Sequence, residues 1–134
     1  MKFRWVTVAP GQSWPLLRVG IRRDGGTVAV DTFLLVDTGA DGTLLPLQMA
    51  KLLGFQNDDL ATETSRTAAG VAPMHKPKNP GRIEIQIGGH WIQLPTLKFG
   101  EHTPPLLGRD VIFANFTLHM TADEIELRPK PQAK

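Results

Sequence analysis

With 134 residues, 41% of them hydrophobic and 21% charged, the chain has the size and composition of one ordinary soluble domain and leaves no room for a second. Its formal net charge is only +2, and its lysines and arginines are scattered rather than interleaved with aromatics, which argues against nucleic-acid binding. Cysteine is absent, so disulfides, thiolate catalysis and zinc-thiolate sites are excluded together, and a reducing cytoplasm is compatible. The start, Met1-Lys2-Phe3-Arg4-Trp5-Val6, has charges where the apolar segment of a signal peptide would run. No stretch approaches the ~20 apolar residues of a membrane span. The expectation is a soluble, unprocessed, cytoplasmic protein that binds neither membrane nor nucleic acid.

Residues 2–8 alternate polar and apolar, the pattern of an edge strand, and Pro10-Gly11 breaks it. Residues 16–22 predict a second strand, and Asp24-Gly25-Gly26 a tight hairpin turn, because glycine accepts positive φ at no steric cost. Residues 27–30 return and feed Phe33-Leu34-Leu35-Val36, a run that predicts a strand buried on both faces. Asp37 ends that run, and Thr38-Gly39-Ala40-Asp41-Gly42-Thr43 then turns sharply. After Thr43-Leu44-Leu45, Pro46 suits the first turn of a helix, residues 47–53 continue it, and Gly54 is placed to end it.

Residues 60–80 are small, polar and proline-rich around Ala68-Ala69-Gly70-Val71-Ala72-Pro73, a composition that buries little. Taken alone they fit an ordinary mobile loop as well as a closing hairpin. Alternation resumes at Ile83-Glu84-Ile85-Gln86-Ile87, turns at Gly88-Gly89 and continues through Trp91-Ile92-Gln93-Leu94. Residues 96–99 predict another strand. Leu106-Leu107 re-enters the core before Gly108, and a short helix follows. A hairpin about Thr121-Ala122-Asp123 joins residues 116–120 to 124–128. Residues 1–128 are thus read as the domain and 129–134 as a disordered tail.

Asp37 is the first candidate for chemistry. A carboxylate placed beside so much apolar sequence must be hydrogen-bonded, paired or protonated; the bland alternative is an aspartate that caps a turn. Other candidates are weaker. His75, His90, His102 and His119 show no ligand spacing, so neither metal nor cofactor is expected. Ser13 and Ser65 sit in no nucleophile-elbow context. For isolated tryptophans such as Trp5, Trp14 and Trp91, core or dimer packing is commoner than a binding face.

Leu35-Val36-Asp37-Thr38-Gly39-Ala40-Asp41-Gly42-Thr43 resembles the active-site loop of retropepsin-like aspartic proteases, and Leu106-Leu107-Gly108-Arg109-Asp110 resembles that family's second element. The two occur in the family's order, and the resemblance spans roughly residues 16–127. It implies an all-β, closed-barrel fold with one or two short helices, acting as a homodimeric aspartic endopeptidase on peptide or protein substrates. It assigns catalysis to Asp37, with Thr38 bonding across the axis and Gly39 giving the substrate backbone room. Ala40 and Asp41 would line the site, and Ala69, Gly70 and Val71 would form the tip of a flap. Gly108 and Arg109 would support the loop, Arg109 by pairing with Asp41. One such triplet supplies half of a two-carboxylate site, so two copies must meet about a two-fold axis. Two departures from viral relatives stand out: about a dozen extra residues precede the catalytic strand, and a hairpin follows the last helix. The dimer interface would therefore be rebuilt, with residues 116–128 as its main element. The rival reading is a non-catalytic peptide-binding or structural module.

Overall fold

The computed structural model describes residues 1–67 and 70–131. The chain is mostly β with two short helices. Three short strands come first, β1 (Lys2–Arg4), β2 (Val6–Ala9) and β3 (Gln12–Trp14). The alternation over residues 2–8 is divided at Trp5, whose backbone N–H donates to Asp123 O at 2.9 Å. A turn at Pro10-Gly11 then pairs β2 with β3 as a separate hairpin.

β4 (Leu16–Arg23) and β5 (Val30–Val36) are antiparallel neighbours joined through a turn in which Asp24 and Gly25 both take positive φ. Residues 27–29, expected to be strand, precede β5 instead. In β4 the odd positions Leu17, Val19 and Ile21 are buried, and in β5 Val30, Leu34 and Val36. Strict alternation turns the other set outward, so Phe33 is 44% exposed and the strand is not buried on both faces as the apolar run suggested.

β6 (Thr43–Pro46) pairs in parallel with β11 (Leu97–Gly100), and that pairing shortens the expected helix. Pro46 stands opposite Gly100 and Leu47 N–H donates to Gly100 O at 3.0 Å, holding Pro46 in the strand and Leu47 in the turn that follows. Only one turn, α1 (Met49–Leu52), remains before Gly54 at φ +86°. β7 (Leu60–Thr67) and β8 (Gly70–Pro77) form a long hairpin, and β9 (Ile83–Ile87) and β10 (His90–Gln93) a shorter one. β12 (Leu106–Leu107) leads into α2 (Arg109–Asn115), and β13 (Phe116–Met120) and β14 (Glu124–Pro129) close the chain as the expected hairpin.

The main sheet runs β10-β9-β4-β5-β12-β6-β11-β8-β7. No pairing joins β10 to β7 among the described residues, so the sheet is open where a closed barrel was expected. β7 is polar on both faces at Thr62, Glu63, Thr64, Ser65 and Arg66, which leaves it no apolar face with which to close the sheet. A second sheet places β14 between β1 and β13, so both ends of the chain pair with each other. β14 runs one residue past the boundary read from the sequence, and Lys130 N–H donates to Asn115 O at 2.9 Å; the rest of the expected tail, 132–134, lies outside the described residues.

The β7–β8 hairpin pairs with the body of the sheet at only two positions, Met74 with Gly100 and His75 with Phe99. Beyond them it continues as a two-stranded ribbon, the arrangement with the fewest restraints. Its base is tied by Lys98 Nζ to Glu63 Oε1 at 2.6 Å and by Thr62 Oγ1 to His75 Nδ1 at 3.3 Å. The hydrogen bond and the charge of Lys98 hold the Glu63 carboxyl below the ordinary glutamate range. The folded chain therefore binds this proton less readily than the unfolded one: the tether is complete above the unfolded glutamate range and is lost as the pH falls through the lowered folded value. Glu63→Gln is expected to speed amide exchange of residues 60–67 and 70–77 already at neutral pH, while the wild type speeds only in acid, after correction for intrinsic rates. Hydrogen exchange followed by mass spectrometry reads both, and identical neutral rates would show that the tether carries nothing.

Candidate active site

The site is built where one short strand divides two others. β12 inserts between β5, to which it is parallel, and β6, to which it is antiparallel, with Leu106 facing both Leu35 and Leu44. The loop joining β5 to β6, residues 37–42, must therefore cross over the end of β12. Asp37 N–H donates to Leu107 O at 3.1 Å, which fixes the aspartate at the crossing. Gly108 passes directly beneath: a Cβ there would lie 2.5 Å from Gly42 O and 2.6 Å from Gly42 C. Its φ of −92° is open to any residue, so glycine is required for space and not for conformation.

Within the loop, Gly39 N–H donates to Asp37 Oδ1 at 2.9 Å, and Ala40 N–H to Asp37 O at 3.2 Å. The half-buried carboxylate is thus aimed by its own turn. Among the described residues it makes no ion pair. A Cβ on Gly39 would press on Asp37 Oδ1 at 3.2 Å, so this glycine also keeps room beside the carboxylate. Thr38 is exposed and Ala40 half-buried. Two clefts, of about 440 and 320 Å³, open elsewhere on the surface and Asp37 lines neither. The aspartate stands on an open face.

The start of α2 supports the loop from below. Arg109 N–H donates to Ala40 O at 2.9 Å and Asp110 N–H to Asp41 O at 3.3 Å. The Arg109 guanidinium contacts the Asp41 carboxylate as the motif implied, but the two side chains are 47% and 92% exposed. Exposed pairs contribute at most about 1 kcal/mol. Arg109→Ala is therefore expected to change the unfolding free energy by no more than about 1 kcal/mol in chemical denaturation, and a loss several times larger would mean that a second copy buries the pair.

A second polar support lies one residue further on, at half-buried Asp110, where sequence reasoning assigned no role. Thr43, 1% exposed, accepts from Gly108 N–H at 3.3 Å and donates to Asp110 Oδ1 at 3.2 Å. Thr96 Oγ1 donates to Asp110 Oδ2 at 2.9 Å. Both oxygens of Asp110 are thereby held, one by Thr43 at the start of β6 and one by Thr96 just ahead of β11. The signal available in sequence was a threonine opening an apolar strand, Thr43-Leu44-Leu45, together with an aspartate directly after the arginine.

Of the expected flap residues, Gly70 (φ +113°) and Val71 (70% exposed) lie at the outer end of the β7–β8 hairpin, opposite Thr67 and Arg66. Ala69 lies outside the described residues.

A mostly β chain that swings an aspartate-threonine-glycine loop over a strand and helix start has the build of a retropepsin-like aspartyl protease. The chain belongs to the aspartyl protease family, whose model matches residues 21–111. That match begins within β4 and ends within α2, so it takes in the Asp37 loop, the β7–β8 hairpin and Gly108-Arg109, and it leaves out β1 to β3 and β13 to β14. No curated protein matches the chain. Membership supports a protease, a hydrolase, in general. No helix among the described residues is long and apolar enough to cross a membrane.

Proposed function

We propose that the protein is an aspartic endopeptidase whose catalytic pair consists of Asp37 from each of two copies, facing one another across a two-fold axis. The observation that carries this reading is the single Asp37 carboxylate, aimed by Gly39 N–H on an open face, in a chain with one such triplet. Two carboxylates so placed cannot both ionise; they hold one proton between them and a water against both. The ionised partner takes a proton from that water as it attacks the peptide carbonyl, and the protonated one hydrogen-bonds the carbonyl oxygen as charge develops there. In this reading Thr38 holds the two loops together across the axis, Gly39 and Ala40 admit the substrate backbone, and the Gly70–Val71 end of the hairpin closes over it. β14 has a neighbour on each side, so among the described residues the edges this three-stranded sheet leaves for a partner copy are β1 and β13. We place the main contact on β13.

One observation favours the rival, a peptide-binding module without catalysis: β1 pairs with β14 of its own chain, so a single copy already has its termini satisfied. Sedimentation at tens of micromolar, a working range for weak homodimers, together with a peptide-library digest, separates the two. Dimer with cleavage supports the protease; monomer without cleavage supports the module.

A further inference from the structure

At the root of the β7–β8 hairpin one imidazole is bonded on one side only. His75 stands between Thr62 and Phe99, at one of the two positions where the hairpin pairs with the body of the sheet. Thr62 Oγ1 meets its Nδ1 at 3.3 Å, while Nε2 is buried and has no hydrogen-bond partner among the described residues. Glu101 Oε1 lies 3.5 Å from that nitrogen, on a half-exposed side chain. Glu101 opens the loop 101–105, which joins β11 to β12. In that loop His102 takes a φ of +56°, uncommon for a residue with a side chain, and Thr103 Oγ1 is a second buried atom without a partner among the described residues. A neutral imidazole has one N–H for its two nitrogens, whereas the charged ring donates from both. Protonation therefore lets His75 bond Thr62 and Glu101 at once, and sets a positive charge beside the carboxylate.

We propose that His75 and Glu101 form a proton-operated latch, which ties the root of the β7–β8 hairpin to the 101–105 loop when the imidazole is charged and releases it when the ring is neutral. The latch goes beyond the reading of Asp37 and stands on the geometry of the root alone. Histidine is the side chain that ordinarily changes charge between about pH 5 and 8. Because the bond needs the charged ring, its contribution is present at the acid end of that range and is lost as the pH rises. The other charged groups on the elements around His75 are engaged elsewhere or exposed. Glu63 of β7 and Lys98 of β11 hold each other at 2.6 Å, and exposed Lys76 of β8 acts with Lys98 on Glu63. Lys51 and His102 line, with Glu101, a cleft of about 440 Å³. The Lys98–Glu63 tie is lost only as the pH falls through a lowered glutamate value, so both ties coexist in mildly acidic solution and hold the hairpin hardest there. The loop carries the effect toward β5, since Pro105 O accepts from Leu35 N–H at 3.0 Å, two residues before Asp37.

The test follows amide exchange of residues 60–67 and 70–77, corrected for intrinsic rates, from about pH 8 to about pH 5. It compares the full-length wild type, Glu101→Gln, His75→Gln and His102→Gln. In the wild type, protection of the hairpin is expected to rise about fivefold as the pH falls across this range, the scale of a partly exposed ion pair. Glu101→Gln keeps an acceptor without its charge, and His75→Gln keeps a donor that cannot be charged. Both should match the wild type within about twofold at the upper end and lose most of the rise at the lower end. His102→Gln, altered in the same loop but outside the latch, should keep the rise. Glu101→Gln decides the matter by itself if His75→Gln fails to fold. Flat protection in the wild type, a full rise that survives Glu101→Gln or a folded His75→Gln, loss of the rise in His102→Gln, or a loss in Glu101→Gln that is equal at both ends of the range would each overturn the proposal. None of these readouts needs cleavage, so the endopeptidase reading can fail with the latch intact, and the latch can fail with that reading intact.

Discussion

Asp37→Asn is expected to lower peptide cleavage by two to four orders of magnitude, the range contributed by positioned acid-base groups, with fold and assembly retained. Asparagine nearly matches the shape of aspartate, and its side-chain oxygen can still accept the Gly39 N–H bond that aims the group at 2.9 Å. What it cannot do is take a proton from water or share one with a second carboxylate. In the proposed dimer, replacing the two crowded carboxyl groups, which share one negative charge, by neutral amides also removes the cost of holding that charge there, so dimerisation should hold or tighten. Circular dichroism and sedimentation report the fold and assembly, and a fluorogenic peptide reports the activity. Cleavage at the wild-type rate would move the chemistry to another residue.

Gly108→Ala should act on both stability and rate. The added methyl would sit 2.5 Å from Gly42 O, a backbone atom that no rotamer change can move aside. Forcing extra volume into such a contact typically costs about 1–3 kcal/mol. Relief requires the 37–42 loop to rise off β12, which strains the Thr43 bond to Gly108 N–H and displaces the aspartate; a misplacement of about 1 Å is enough for a loss of roughly 100-fold in rate. Gly42→Ala is the informative contrast. Its Cβ would meet the Thr96 hydroxyl at 2.9 Å, a side chain that can turn away, so the cost should be smaller. Thermal unfolding and steady-state kinetics on the two variants decide this, and equal behaviour would mean that the loop does not rest on Gly108.

The parts of this molecule that could be read from sequence are those whose cause is local. An apolar run ending in Asp37-Thr38-Gly39, a Leu-Leu-Gly-Arg-Asp string, and the Ile83-Glu84-Ile85-Gln86-Ile87 alternation each carry their structure within a few residues. The boundaries that shifted did so through distant partners. Pro46 became strand because Gly100 pairs with it, and β1 found β14 more than a hundred residues away. The open sheet follows from a hairpin whose polar residues were visible but whose place at the end of the order was not. At the site, Arg109 and Asp41 met as the motif implied, yet sequence could not give their exposure, and a second support fell to buried Thr43, half-buried Asp110 and exposed Thr96. That network joins three segments brought together by the insertion of β12 between β5 and β6 and by the pairing of β6 with β11. No local pattern encodes such a crossing.

Mixing wild-type and Asp37→Asn chains at fixed total concentration, after subunit exchange, counts the aspartates each active site needs. If the pair forms across a two-fold axis, only dimers with two wild-type chains cut, so activity follows the square of the wild-type fraction, and an equal mixture retains about a quarter of it. A straight line, with about half retained in the equal mixture, would show that each chain acts with its own aspartate alone and would contradict the shared pair.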